Sequence, residues 1–221
     1  MGEGNDPTPR PDPAFEKEPA WSASGRLAVP DVRLPDVRFW QVLRSRRSRR
    51  DLSPAPLRET LGWLNASTRP AFMAEHLGLQ RTKTPSISAG ALDSITPLLI
   101  LGRGRPRVLR PRPLDGAAER LAVHNDAPLL VLRARAKEAL PATSGCDLIA
   151  LVCDMAKLRA GYSAADSLAW RNAGAMLQTL SLTATAAGLG FCPLALLGGE
   201  VRDALSMGPS WRSVGVAVVG L

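Results

Sequence analysis

Lysine, histidine, cysteine and tyrosine are all scarce in this chain. Only four lysines (Lys17, Lys83, Lys137 and Lys157) occur in 221 residues whose formal charge is nevertheless +8, so arginine carries the excess. The planar fork of arginine suits bidentate recognition of phosphate or carboxylate better than a lysine point charge does, although a coding bias toward arginine gives the same composition. Two histidines, His76 and His124, leave too little material for a zinc site or a histidine-based triad. The three cysteines, Cys146, Cys153 and Cys192, have neither the density of a disulfide framework nor paired metal spacing, which points to a reducing compartment. No apolar run approaches the roughly 18 residues of a membrane span. The N-terminal segment holds acids and prolines where a signal peptide needs an apolar stretch. The expectation is a soluble, cytoplasmic protein without a membrane partner.

With 45% apolar residues, the chain has enough material for one substantial core. Residues 1–36 mix proline, charge and small side chains without a period, which predicts a Pro-rich disordered N-terminal arm, with Trp21 and the run LAVP as its groups able to dock. Residues 37–221 are read as the folded domain. A first helix is expected from Phe39 and Trp40 into the arginine-rich segment, and a second after Ser53 as its cap, with Leu57, Leu61 and Leu64 at helical spacing. RTKTPSISAGAL (81–92) reads as a loop, and ITPLLILG after it as a strand or helix edge. APLLVLRARA (127–136), DLIALVCD (147–154) and the terminal SVGVAVVGL have the aliphatic content of buried strands. The stretch from Gly102 to His124 reads as an irregular crossing. The strongest helix lies between Ser163 and Ala187, with Leu168, Met176, Leu180 and Ala187 on one face and Gly188 placed to stop it. Helices and strands do not alternate strictly, so the fold class is α+β with one long central helix.

The segment RSRRSRR (44–50) sets five arginines around two serines. A nuclear-import tag, a nucleic-acid grip, a phosphate pocket and a solvated face all fit that composition. The absence of interleaved aromatics speaks against RNA.

Taken in order, an apolar helix entering RRSRR, the loop SAGAL and a long helix ending in AAGLGFCPL resemble the flavin-dependent nitroreductase superfamily, and within it the SagB-type dehydrogenases, which include azoline oxidases. The resemblance covers about residues 34–221. It implies a central, mostly antiparallel sheet flanked by helices with a long buried central helix, and a homodimer with FMN at the interface. It also implies that Arg46, Arg47, Ser48 and Arg50 hold the FMN phosphate, ribityl chain and one ring edge. Arginine forks suit a phosphate of nearly two negative charges, and a cation near the pyrimidine edge favours reduced flavin. Ser88, Ala89 and Gly90 would lie along the flavin, with no side chain at Gly90 to hold backbone away from the ring. Gly190, Pro193, Leu194 and Ala195 would cross one ring face and offer a backbone N–H to the reactive nitrogen. An ordinary turn and a helix stop are the plainer readings of these two segments.

Departures from the family pattern are specific. Ile87 stands for the proline before the loop serine, Asp93 for a histidine or tyrosine, Thr96 for an acid in the next strand, Asn172 for an acid in the central helix and Ala175 for a histidine. The lysine–tyrosine pair tied to azoline oxidation is not adjacent. Lys157 and Tyr162, the only tyrosine, are the nearest equivalents and the candidate catalytic residues. Gln178 is expected in packing or a dimer contact. Three functions are consistent with this pattern: an FMN-dependent oxidoreductase of a peptide-derived or other specialised substrate, a general NAD(P)H-dependent nitro or quinone reductase, and a degenerate subunit that binds a peptide or a catalytic paralogue. A heteromeric partner from a peptide-modifying pathway is the alternative to the homodimer, and nucleic acid is disfavoured.

Overall fold

The computed structural model describes residues 6–12 and 21–221. The parts of the expected arm at residues 1–5 and 13–20 lie outside the described residues. In chain order the elements are β1 (Ala23–Ala28), α1 (Phe39–Ser45), α2 (Leu57–Thr68), β2 (Phe72–His76), β3 (Leu79–Lys83), β4 (Ile95–Ile100), β5 (Val108–Arg112), β6 (Ala117–Leu121), α3 (Ala127–Ala139), β7 (Asp147–Asp154), α4 (Met155–Gly161), α5 (Asp166–Ala186), β8 (Gly190–Leu194), α6 (Gly199–Leu205) and β9 (Trp211–Gly220). Seven strands form one sheet in the order β1-β6-β5-β4-β7-β9-β8, every neighbouring pair antiparallel, and β2-β3 is a separate hairpin.

The central strands β7 and β9 are buried almost throughout because helices cover both sheet faces. One core, around Trp63, Ile149, Leu180 and Phe191, lies under α2, α4 and α5. The other, around Leu98, Leu129, Leu148 and Val218, lies under α3 and α6. Helix α5 buries Leu168, Asn172, Met176, Leu180 and Ala184 on its sheet side. It leaves Trp170, Gly174 and Gln178, spaced four apart, exposed on the other. Among the described residues no helix is long and apolar enough to cross a membrane.

Several expectations are corrected. APLLVLRARA is helix α3, not a strand, because Leu129, Leu132 and Ala136 share a helical face and Pro128 sits in the first turn, where its missing N–H costs nothing. The Gly102–His124 crossing contains β5 and β6; their pairing is a long-range main-chain match that an arginine- and proline-rich sequence does not advertise. Within the expected disordered arm, Ala23–Ala28 is the edge strand β1, paired with β6. Main-chain bonds carry much of an edge strand's pairing, and side chains add to it: Leu27 packs against the core and Ser24 bonds with Arg120 of β6. Trp21 packs tilted against Trp211 with ring centroids 4.5 Å apart, and Val29 of the LAVP run is buried. Helix α1 ends at Ser45, before most of the arginines, and Arg46 is already extended. Ser53 is not a cap: α2 starts at Leu57 after Pro56. Ser53 instead exchanges both backbone hydrogen bonds with Leu221, at 3.1 and 2.8 Å.

Candidate flavin site

The arginine segment is extended because its backbone is engaged by the sheet's edge. Arg49 N–H donates to Phe191 O at 3.3 Å, and the Ser53–Leu221 pair anchors the other end. Gly190 makes this approach possible, since a Cβ there would collide with Leu52 and lie 3.2 Å from Arg49 Cδ. The structure thus brings Arg46, Arg47, Ser48 and Arg50 to the strand that carries Gly190, Pro193 and Leu194, with Ala195 following. Arg47, Ser48 and Arg50 are exposed and Arg46 is half-buried. Among the described residues none of the five arginines from 44 to 50 forms an ion pair. Clustered guanidinium groups without a carboxylate partner, on a rigid strand edge, fit a phosphate. Cys192 lies in the same strand, but burial pushes its thiol up despite the nearby Arg50 charge, which does not activate it.

The loop from Ser88 to Asp93 forms a second cluster. Ala89 N–H donates to Asn172 Oδ1 at 3.1 Å, Asn172 Nδ2 donates to Ser94 Oγ at 3.2 Å, and Asp93 N–H donates to Ser88 Oγ at 3.0 Å. Arg81 Nη1 donates to Gly90 O at 2.6 Å. Gly90 has φ of +56°, and a Cβ on it would stand 2.6 Å from both Arg81 Nη1 and the Tyr162 hydroxyl. Only glycine meets both constraints without strain. Ala91, Asp93 and Ala164, all non-glycine, also have positive φ. Tyr162, a candidate as the only tyrosine of the chain, lies against the loop.

Lys157 meets the loop at its other end, lining a cavity of about 470 Å³ together with Asp93, Thr82, Thr84 and Met176. Burial raises the Asp93 carboxyl above its ordinary range, while Lys157 and a hydrogen bond from Thr84 counter the rise. Asn172 and Arg81 were missed as site residues. The signal for Asn172 was present as a departure from the family pattern, since an amide can accept from the loop N–H as an acid does and can also donate to Ser94. Arg81 carries no local signal. Its role depends on β3 passing the loop.

The two clusters occupy different ends of α5. Asn172, which holds the loop, and Ala186, which ends the helix near Gly190, are roughly 20 Å apart along the axis at about 1.5 Å per residue.

Architecture of this kind, a mainly antiparallel sheet with a long helix laid on one face, is that of nitroreductase-like proteins. A candidate nitroreductase from Ralstonia eutropha JMP134 superposes with a TM-score of 0.62 at 18% identity, covering 94% of this chain and 96% of that one. A nitroreductase family protein from Clostridium novyi NT gives 0.53 at 14% identity, covering 84% and 85%. A chain of the Escherichia coli microcin synthetase McbBCD complex, with truncated pro-MccB17 bound, gives 0.55 at 16% identity, covering 86% and 74%. No curated relative matches by sequence. The model of the nitroreductase family matches residues 43–221, and this chain belongs to that family. Its class is accordingly that of the family's oxidoreductases.

Proposed function

We propose that the chain is an FMN-dependent oxidoreductase of the SagB type, acting on a peptide-derived substrate. The observation that carries the reading is the segment Arg46–Arg50, its arginines without acidic partners among the described residues, held extended on the β8 edge beside Gly190. Arg46, Arg47, Ser48 and Arg50 bind the phosphate and ribityl chain. Residues Gly190 to Ala195 present backbone to the ring, and Ser88, Ala89 and Gly90 supply a loop surface without bulk. FMN, when bound, supplies the hydride chemistry, with NAD(P)H as the electron donor where the substrate is reduced. Tyr162, whose hydroxyl lies against Gly90, is the proton donor nearest the loop. Lys157 contributes the charge it places near Asp93. The replaced family residues Asn172 and Asp93 are both engaged in holding the loop, which favours a working site over a degenerate one. The microcin synthetase complex among the structural neighbours supports a peptide substrate or a partner from a peptide-modifying pathway.

The separation of the two clusters exceeds the length of one flavin ring. The arrangement that brings both to one FMN is a homodimer, the arginine edge from one copy facing the Ser88–Gly90 loop of the other. Exposed apolar groups support that contact: Phe39 is 61%, Trp40 70% and Ile87 81% exposed, and Trp170, Gly174 and Gln178 form an open stripe on α5.

The test is to purify the protein alone, record its visible spectrum and identify the chromophore released on denaturation. Near-stoichiometric FMN is expected; a colourless protein that also fails to take up added FMN contradicts the reading. Tyr162→Phe is expected to slow turnover about 10²-fold or more while leaving FMN bound. An unchanged rate removes Tyr162 from the chemistry.

A further inference from the structure

Outside both sheets, residues 8–10 make a short main-chain pairing of their own. Pro9 stands opposite Tyr162 in an isolated antiparallel bridge. Arg10 N–H donates to Gly161 O and Ser163 N–H donates to Thr8 O, each at 2.9 Å. The Thr8 and Ser163 hydroxyls are hydrogen-bonded to each other at 2.9 Å. Tyr162 itself is extended, with φ −141° and ψ 141°.

This pattern is selective. Pro9–Tyr162 is the pair that exchanges no hydrogen bonds, so a proline there sacrifices no bond to the edge, while the residue after it must keep its N–H. A hydroxyl before the proline finds the Ser163 hydroxyl. The edge therefore recognises an extended backbone carrying a hydroxyl residue followed by proline. No residue from 6 to 12 is buried, so little but these bonds holds the segment in place. The edge also carries Tyr162, whose hydroxyl reaches Gly90.

We propose that Gly161–Ser163 is a docking edge for an extended peptide with a hydroxyl–proline pair, and that Thr8–Arg10 is a displaceable strap occupying it within the same chain. Docking is by strand addition, in which main-chain bonds hold the peptide and alternate side chains select it. The strap competes at the millimolar effective concentration of a tethered segment. The inference rests on the proposed function only for its consequence: a peptide held here passes Tyr162 beside the flavin loop.

Hydrogen exchange at the Ser163 amide in the full chain tests it. In the double variant Thr8→Val, Arg10→Pro, which removes the hydroxyl and the donor from the strap, this amide is expected to exchange about tenfold faster. A synthetic peptide of residues 6–12, DPTPRPD, added at millimolar concentration should restore slow exchange, and DPVPPPD should not. The proposal is overturned if the variant keeps its protection, if neither peptide restores it, or if both do equally. Wild-type protection that grows with protein concentration overturns the same-chain strap in favour of an arm from a second copy. Flavin content on the same samples reads the oxidoreductase proposal separately. Bound FMN without peptide rescue removes only the docking edge, and rescue in flavin-free protein removes only the FMN reading.

Discussion

Replacing Arg46 and Arg50 together by alanine is expected to leave the protein folded and largely free of FMN. Charge-assisted hydrogen bonds contribute about 1.5–3 kcal/mol each. Two of them convert to a roughly 10²- to 10⁴-fold weaker affinity, with the lower end favoured because Arg50 is exposed and solvent-screened. Folding should be spared, since neither side chain forms an ion pair among the described residues and the segment is held by backbone bonds at Arg49 and Ser53. Titration of the apoprotein with FMN, followed by flavin fluorescence, measures the loss, and circular dichroism checks the fold. Flavin binding that is undiminished and insensitive to salt would place the phosphate elsewhere. Lysine at both positions should recover only part of the affinity, because a point charge cannot reproduce the bidentate fork.

Trp63→Ala should produce the largest loss of stability, about 3–5 kcal/mol. Trp63 is 1% exposed, its Nε1 donates to Thr183 Oγ1 at 3.1 Å, and its ring centroid lies 6.1 Å from that of Phe191. The substitution opens a cavity between α2, α5 and β8, although Ser67 still serves Thr183, donating at 2.8 Å. The damage reaches the candidate site because Phe191 O is the acceptor that holds Arg49. Urea unfolding should show the midpoint fall, and FMN release should accelerate in the variant. Trp63→Phe, which keeps most of the volume and loses the hydrogen bond, should cost roughly 1–2 kcal/mol. An alanine variant as stable as the wild type would mean that this contact between helix and strand is not what supports the β8 edge.

Local signals made some elements legible. The long helix α5 and the strands β7 and β9 are strongly patterned over many residues, and the Ser88–Gly90 turn announces itself through small residues and glycine. Aliphatic content without attention to period misassigned α3, where Leu129, Leu132 and Ala136 already marked a helical face. The edge strand β1 has little side-chain pattern, because its pairing with β6 is made by backbone.

By itself, then, the sequence determined the α+β class, the central helix, the arginine excess and the order of three segments that mark the nitroreductase family, since each depends on residues close together in the chain. Only the tertiary structure decided that the segment from Arg46 leaves the helix and runs beside β8, that Asn172 holds Ala89 from 83 residues away, and that Tyr162 meets Gly90 and pairs with Pro9. These are contacts between residues remote in sequence. Their energies come from backbone bonds and close packing that exist only once the sheet and α5 have brought the segments together, so no local pattern records them.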